Sequence, residues 1–301
     1  MKILLLGKNG QVGWELQRAL APLGELIALD RAGAAGFCGD LSTPELLCRT
    51  VRALAPDVIV NAAAYTTVDR AESEPEHAQR INADAVGALA EIAYSTGALL
   101  VHYSTDYVFN GSGSQPWRET DTTAPLSVYG QTKLAGEQAI IDSGCAHLIF
   151  RTSWVYAARG NNFAKTMLRL AAERERLNVI DDQIGAPTGA ELISDVTAHA
   201  IRATRHNPNL VGIYHLAAAG ETSWHGYAEF VINTARAQGR ALKVTEIAPI
   251  PTRQYPTPAQ RPLNSRLDTT KLTASFGLHM PHWQSGVLRM QDEFMDKHHE
   301  S

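Results

Sequence analysis

The sequence is poor in cysteine: Cys38, Cys48 and Cys145 are the three it has in 301 residues. Their odd number and lack of paired spacing exclude a disulfide framework and a thiolate zinc site, and leave buried thiols as the expected fate. Positive charge is not in excess either. The formal net charge is -4, which gives no basic footprint for nucleic acid. No apolar run reaches about 18 residues, so no membrane-spanning helix is expected. Internal repeats and low-complexity tracts are absent. Met1-Lys2-Ile3 runs straight into an apolar strand pattern, so no cleavable leader is expected and the location expected is cytoplasmic.

What remains is the composition of an ordinary globular chain. At 45% hydrophobic residues over 301 positions, the chain can bury a large core and is long enough for two domains. Its first half alternates short apolar runs with helix-like stretches. Strands are predicted at Ile3 to Leu6, Glu25 to Asp30, Val58 to Val60, Ala98 to Tyr103 and His147 to Arg151. Helices are predicted from Trp14 to Leu20, Pro44 to Leu54, Glu76 to Thr96 and Val128 to Asp142. That βαβ rhythm implies an α/β fold, a Rossmann-type doubly wound parallel sheet covered on both faces. Beyond Trp154 the pattern loosens. Turns are expected at Pro249-Ile250-Pro251 and Tyr255 to Pro258. The division expected is therefore a dinucleotide-binding domain over residues 1–155 and a smaller, mainly substrate-binding domain over 156–301. A helix from Ile193 to Thr204 and a strand from Gly212 to Leu216 would return to the main sheet.

Two segments carry the chemistry. Gly7-Lys8-Asn9-Gly10-Gln11-Val12-Gly13 joins the first strand to the first helix. Glycines at such a turn let the backbone approach a pyrophosphate, and the helix N-terminus supplies free N–H groups and a positive dipole. Asp30 ends the second strand about 20 residues later, where a carboxylate accepts hydrogen bonds from the adenosine ribose. Arg31 follows and can neutralise a 2′-phosphate, so NADH and NADPH are both admitted. Asp40 and Leu41 fall where adenine would lie. Asn61-Ala62-Ala63-Ala64-Tyr65 ends the third strand with small side chains, suited to a cofactor passing over the backbone.

The second segment is Tyr129-Gly130-Gln131-Thr132-Lys133, a phenol and an ammonium four residues apart on one helix face. Tyr129 is the candidate proton donor. A phenol ordinarily ionises near pH 10, so Lys133 is expected to favour the phenolate and also to hold ribose hydroxyls. His102-Tyr103-Ser104-Thr105-Asp106 closes a strand at the carboxyl edge, where open parallel sheets bind ligands. Thr105 can there hydrogen-bond a substrate oxygen, and Tyr103 falls beside the cofactor.

With these residues in place the chain resembles the extended short-chain dehydrogenases/reductases, and within them the dTDP-4-dehydrorhamnose reductases. The resemblance runs through Gly7 to Gly13, Asn61 to Tyr65, Ser104 to Phe109, Tyr129 to Lys133, Arg151 to Tyr156, Gly185 to Thr188 and Arg261 to Ser265, nearly the whole chain. It implies hydride reduction of the C4 keto group of dTDP-4-dehydro-6-deoxy-L-mannose to dTDP-L-rhamnose, a donor for bacterial surface polysaccharide. Thr105, Tyr129 and Lys133 would be catalytic, with Asp106 and Trp154 at the sugar and Arg261 on the nucleotide diphosphate, which a guanidinium grips bidentately. The resemblance further implies Mg²⁺ held by Glu15, Glu191 and Glu293 at a homodimer contact.

Other functions remain open on the sequence. An epimerase or another nucleotide-sugar reductase would share the fold, cofactor, Tyr and Lys. A 4,6-dehydratase places Asp-Glu after the strand-end Thr, whereas here Thr105-Asp106 is followed by Tyr107. A non-catalytic subunit of the kind that regulates methionine adenosyltransferase resembles the same reductases, and would act by binding an enzyme.

Overall fold

The computed structural model describes residues 1–296. Its centre is a six-stranded sheet formed by β1 (Lys2–Leu6), β2 (Glu25–Leu29), β3 (Val58–Asn61), β4 (Leu99–Thr105), β5 (His147–Thr152) and a strand from the second half, Gly212–His215. Every neighbouring pair is parallel. Ile3 through Leu6, Val58 through Val60 and Leu148 through Phe150 are completely buried. Unbroken burial rather than alternation means that helices cover both faces, and each such side chain contributes about 1.5–3 kcal/mol of burial free energy.

The covering helices of the first half are α1 (Gln11–Leu20), α2 (Pro44–Leu54), α3 (Val68–Ala71), α4 (Pro75–Gln79), α5 (Ala85–Thr96) and α6 (Val128–Ser143). Leu47, Val51 and Leu54 of α2 pack with Val86, Leu89 and Ala93 of α5 on one face. Leu16 and Leu20 of α1 pack with Ile193 and Ile201 on the other. The single helix predicted from Glu76 to Thr96 is instead α4, a π-helical turn over Arg80–Asp84, and α5. The wider turn places Asn82 so that its amide accepts from Tyr65 N (2.9 Å) and donates to Tyr65 O (3.0 Å) and Thr132 Oγ1 (3.2 Å). An insertion of this kind marks functional regions of helices. Here it ties the loop after β3 to α6.

In the second half the order is β6 (Val155–Tyr156), α7 (Phe163–Glu173), β7 (Arg176–Ile180), β8 (Ile184–Gly185), β9 (Thr188–Gly189), α8 (Ala190–His206) and β10 (Gly212–His215). Then follow β11 (Thr222–Ser223), α9 (Trp224–Ala237), β12 (Glu246–Ile250), α10 (Thr270–Phe276) and α11 (Trp283–Asp296). β10 lies beside β5 in the main sheet, and α8 packs on α1. The expected Pro249 turn lies within β12, paired in parallel with β7. A proline lacks the ladder N–H, and this pair of strands leaves each with an open edge that tolerates one.

The strand order is β10-β5-β4-β3-β1-β2. The chain moves outward from β1 to β2, then returns to β3 on the other side. A crevice opens at that reversal, beyond the carboxyl ends of β1 and β3.

Candidate active site

Backbone geometry builds one wall of the crevice. Gly7 has φ +85, and a Cβ there would lie 2.7 Å from Ala63 N. Any side chain would fill the space where the β1 turn meets the loop after β3. At Gly13 a Cβ would stand 2.0 Å from Gly7 O, so this glycine serves the fit of α1 against the turn and does not line the crevice. α1 starts at Gly10 without a side-chain cap, leaving first-turn N–H groups for a ligand. Gly7, Gly10, Gln11 and Val12 line a cleft of about 960 Å³.

The cleft continues over Asp30, Arg31, Asp40 and Leu41, then over Ala62, Ala63 and Ala64 to Tyr103. Asp30 Oδ2 accepts from Asn9 Nδ2 at 2.7 Å and faces Lys8 Nζ at 3.6 Å. Lys8 is thus a cation at this carboxylate, and only proximity in the fold reveals it. Tyr65 turns its side chain elsewhere: its hydroxyl donates to Glu74 at 2.8 Å and its ring meets His77 edge-on. Thr66, Val68 and Ile81 line the cleft there. A glycine cradle, an uncapped helix start and a strand-end carboxylate in one cleft fit a dinucleotide.

The reacting end is positioned by α6. Ser127 Oγ accepts from Gly130 N at 3.2 Å and starts the helix. A Cβ on Gly130 would lie 2.3 Å from Tyr107 O; its absence lets α6 settle against the turn Asp106–Val108. Tyr129 then meets Tyr107 edge-on at 5.5 Å and faces the Thr105 hydroxyl. Thr105, Asp106, Tyr129, Lys133 and Trp154 all line the cleft.

Burial sets the state of the phenol. Loss of water pushes Tyr129 up to about 12, with Thr105 opposing the rise and Asp106 adding to it. Lys133 Nζ donates to Tyr103 O at 2.6 Å and contacts His102 Nε2 at 3.1 Å. Desolvation lowers Lys133 to about 8 despite Glu137 one turn on. The two side chains share a helix face, but their heads serve different neighbours. Asp106, buried beneath the cleft, is raised to about 6 by desolvation, against the Ser265 and Thr105 hydroxyls. Thr105 Oγ1 donates to its Oδ1 at 3.1 Å and accepts from Tyr107 N at 3.2 Å.

Trp154 adopts the left-handed region at φ +49. Its ring stacks on Trp224 at 3.6 Å between centroids and 14° between planes. Trp224 Nε1 donates to Gln183 Oε1 at 3.0 Å. Sequence reading missed Trp224, which opens α9 with no local pattern to mark it. Arg261 does not line the cleft: its Nη2 donates to Asp69 Oδ2 at 2.8 Å, and burial leaves Nη1 without a partner.

The three glutamates expected at a metal come to one face, but not into a cage. Burial and then the charge of Glu191, with a lesser push from Glu293, raise the Glu15 carboxyl. Arg18 Nε stands 3.6 Å from Glu15 and Arg289 Nε 3.1 Å from Glu191. Among the described residues no three acidic, histidine or cysteine side chains are gathered as ligands for one ion. Among the described residues, too, no helix is long and apolar enough to cross a membrane.

The chain is similar to known proteins over nearly its whole length. The model of the RmlD substrate binding domain matches residues 1–295. A dTDP-4-dehydrorhamnose reductase of Salmonella typhimurium is 62% identical over 97% of this chain and 98% of its own length. A crystal structure of a Clostridium acetobutylicum dTDP-4-dehydrorhamnose reductase superposes with a TM-score of 0.87 at 34% identity, covering 98% of this chain and all of that one. The Bacillus anthracis dTDP-4-dehydrorhamnose reductase, solved in complex with NADP, gives 0.86 at 34% identity over 97% of this chain and 99% of its own. The chain belongs to the dTDP-4-dehydrorhamnose reductase family.

Proposed function

We propose that this chain reduces the C4 keto group of dTDP-4-dehydro-6-deoxy-L-mannose with NADH or NADPH, giving dTDP-L-rhamnose. The observation that carries the reading is the meeting of Thr105, Tyr129 and Lys133 in the same cleft as the Gly7 turn. A reduced nicotinamide bound along that cleft supplies hydride to the carbonyl carbon.

Tyr129 gives its proton to the oxygen that becomes an alkoxide. A phenol pushed up to about 12 stays protonated at neutral pH, and an alkoxide is basic enough to take that proton. Thr105 has one hydroxyl hydrogen, now shared with Asp106. A substrate oxygen competes with Asp106 for it and is held as charge develops. Lys133 presents its remaining N–H to cofactor hydroxyls. Trp154 and Trp224 offer a flat apolar wall for the sugar. A homodimer belongs to the same reading.

The test supplies the 4-keto sugar nucleotide with NADH or NADPH, follows loss of reduced-nicotinamide absorbance and identifies the product. Turnover to dTDP-L-rhamnose is expected. Bound cofactor without turnover, joined to co-purification with another enzyme, would replace the reading by a regulatory one.

A further inference from the structure

Lys133 ends a buried row of three polar side chains. Asn61 at the end of β3 pairs in register with His102 of β4, and His102 reaches Lys133 of α6. Each of the three is only 1% exposed. Ala63 N donates to Asn61 Oδ1 at 3.2 Å, so the amide orientation is set and Asn61 Nδ2 faces His102 Nδ1 at 3.2 Å. An NH₂ group only donates, which makes Nδ1 the acceptor and leaves the imidazole proton on Nε2. Nε2 in turn stands 3.1 Å from Lys133 Nζ.

An ammonium cannot accept from that N–H, because all its hydrogens point outward and it has no lone pair. A neutral amine can. Its lone pair receives Nε2–H, one of its own hydrogens goes to Tyr103 O at 2.6 Å, and the second is left for the cleft that Lys133 lines. We propose that His102 is a positioning residue for Lys133: Asn61 holds the imidazole as the Nε2–H tautomer, and that N–H, aimed at Nζ, favours the neutral amine and poises Lys133 to take up and release a proton.

The surroundings agree. The charge that acts on Lys133 from its own helix is Glu137, which Arg151 of β5 engages at 2.6 Å. β3 and β4 contribute the neutral Asn61 and the Tyr103 carbonyl. Burial, then the neighbouring Lys133, holds His102 well below its ordinary range, so the ring stays neutral. Asn61 is itself buried, so the row is closed at its inner end and acts on Lys133 alone. The part of this inference that concerns turnover rests on the reductase reading; the tautomer and the charge state do not.

Long-range ¹H–¹⁵N correlation on histidine-labelled protein reads the tautomer directly, with the His102 signals assigned by their loss in His102→Gln. The Nε2–H form is expected across neutral pH; an Nδ1–H or doubly protonated ring would overturn the proposal. Lysine ¹³Cε and ¹⁵Nζ shifts follow Lys133, assigned by loss in Lys133→Met. In His102→Gln the amide can turn its oxygen toward Nζ, and the proton affinity of Lys133 is expected to rise roughly tenfold, equivalent to one pKa step. An unchanged Lys133 titration in that variant would overturn the proposal even if the variant is less stable. The alkaline limb of kcat/KM should move with the NMR titration. If only the NMR titration moves, the proposal stands and the catalytic assignment of Lys133 falls.

Discussion

Trp154 and Trp224 lie face to face, 3.6 Å between ring centroids and 14° from parallel, joining the loop after β5 to the start of α9. The close approach needs Gly185 beneath it, where a Cβ would stand 2.9 Å from the Trp154 ring. Aromatic pairs are worth about 0.5–1.5 kcal/mol beyond their buried area. Trp224→Ala should therefore raise KM for the sugar nucleotide about 2- to 12-fold through a loosened Trp154. Cofactor affinity, measured by fluorescence titration, should hold. A KM equal to that of the parent would remove the stack from substrate binding.

Tyr129→Phe preserves the ring against Tyr107 and loses the proton. Turnover should fall by about two to four orders of magnitude with cofactor affinity retained. Steady-state kinetics and a binding titration on the same preparation decide it. Near-normal kcat would take Tyr129 out of the mechanism.

Cofactor choice turns on one carboxylate and two cations. Asp30→Ala should shift kcat/KM toward NADPH, since a 2′-phosphate no longer meets a negative charge. Arg31→Ala and Lys8→Ala should both shift it toward NADH, because Lys8 Nζ stands 3.6 Å from Asp30. Ratios that move in one direction for all three substitutions would place the ribose elsewhere.

Reaction class is checked at Thr105. Elimination requires an acid and a base beyond the groups that reduction uses, and Tyr107 stands where a dehydratase has a carboxylate. dTDP-glucose with NAD⁺ should give no 4-keto-6-deoxy product, while the 4-keto substrate is reduced. Thr105→Val should lower kcat more than it weakens cofactor binding. Detectable dehydration, or an indifferent Thr105→Val, would contradict the assignment.

Stability should report Asp106. Desolvation raises its carboxyl from 3.8 to about 6 in the folded chain, so between those values the native state binds more protons than the unfolded one. Linkage then requires native stability to fall as pH rises through about 4 to 6. Asp106→Asn should flatten that part of the profile and be the more stable protein at pH 7 relative to its own value at pH 4. Denaturant unfolding at several pH values measures it, and a parallel pair of profiles would show that the carboxyl is not buried as described.

The sequence by itself determined what depends on neighbours along the chain. Strand-helix alternation, the Gly7 turn, the carboxylate ending β2 and the Tyr129–Lys133 spacing are short-range patterns, set by backbone sterics and helical periodicity. They were enough to expect the parallel sheet, and most of the residues they single out for a cofactor line one cleft. Tertiary structure decided where side-chain heads point. Lys133 turns to His102 because β4 offers a carbonyl and an imidazole within reach. Arg261 is held by Asp69, 192 residues away in sequence. Asn82 leaves its predicted helix register because the loop after β3 has backbone groups to satisfy, and buried polar groups left unpaired are costly. Such contacts join residues with no shared local pattern, and only the packing of α6, β3 and β4 around one sheet edge specifies them.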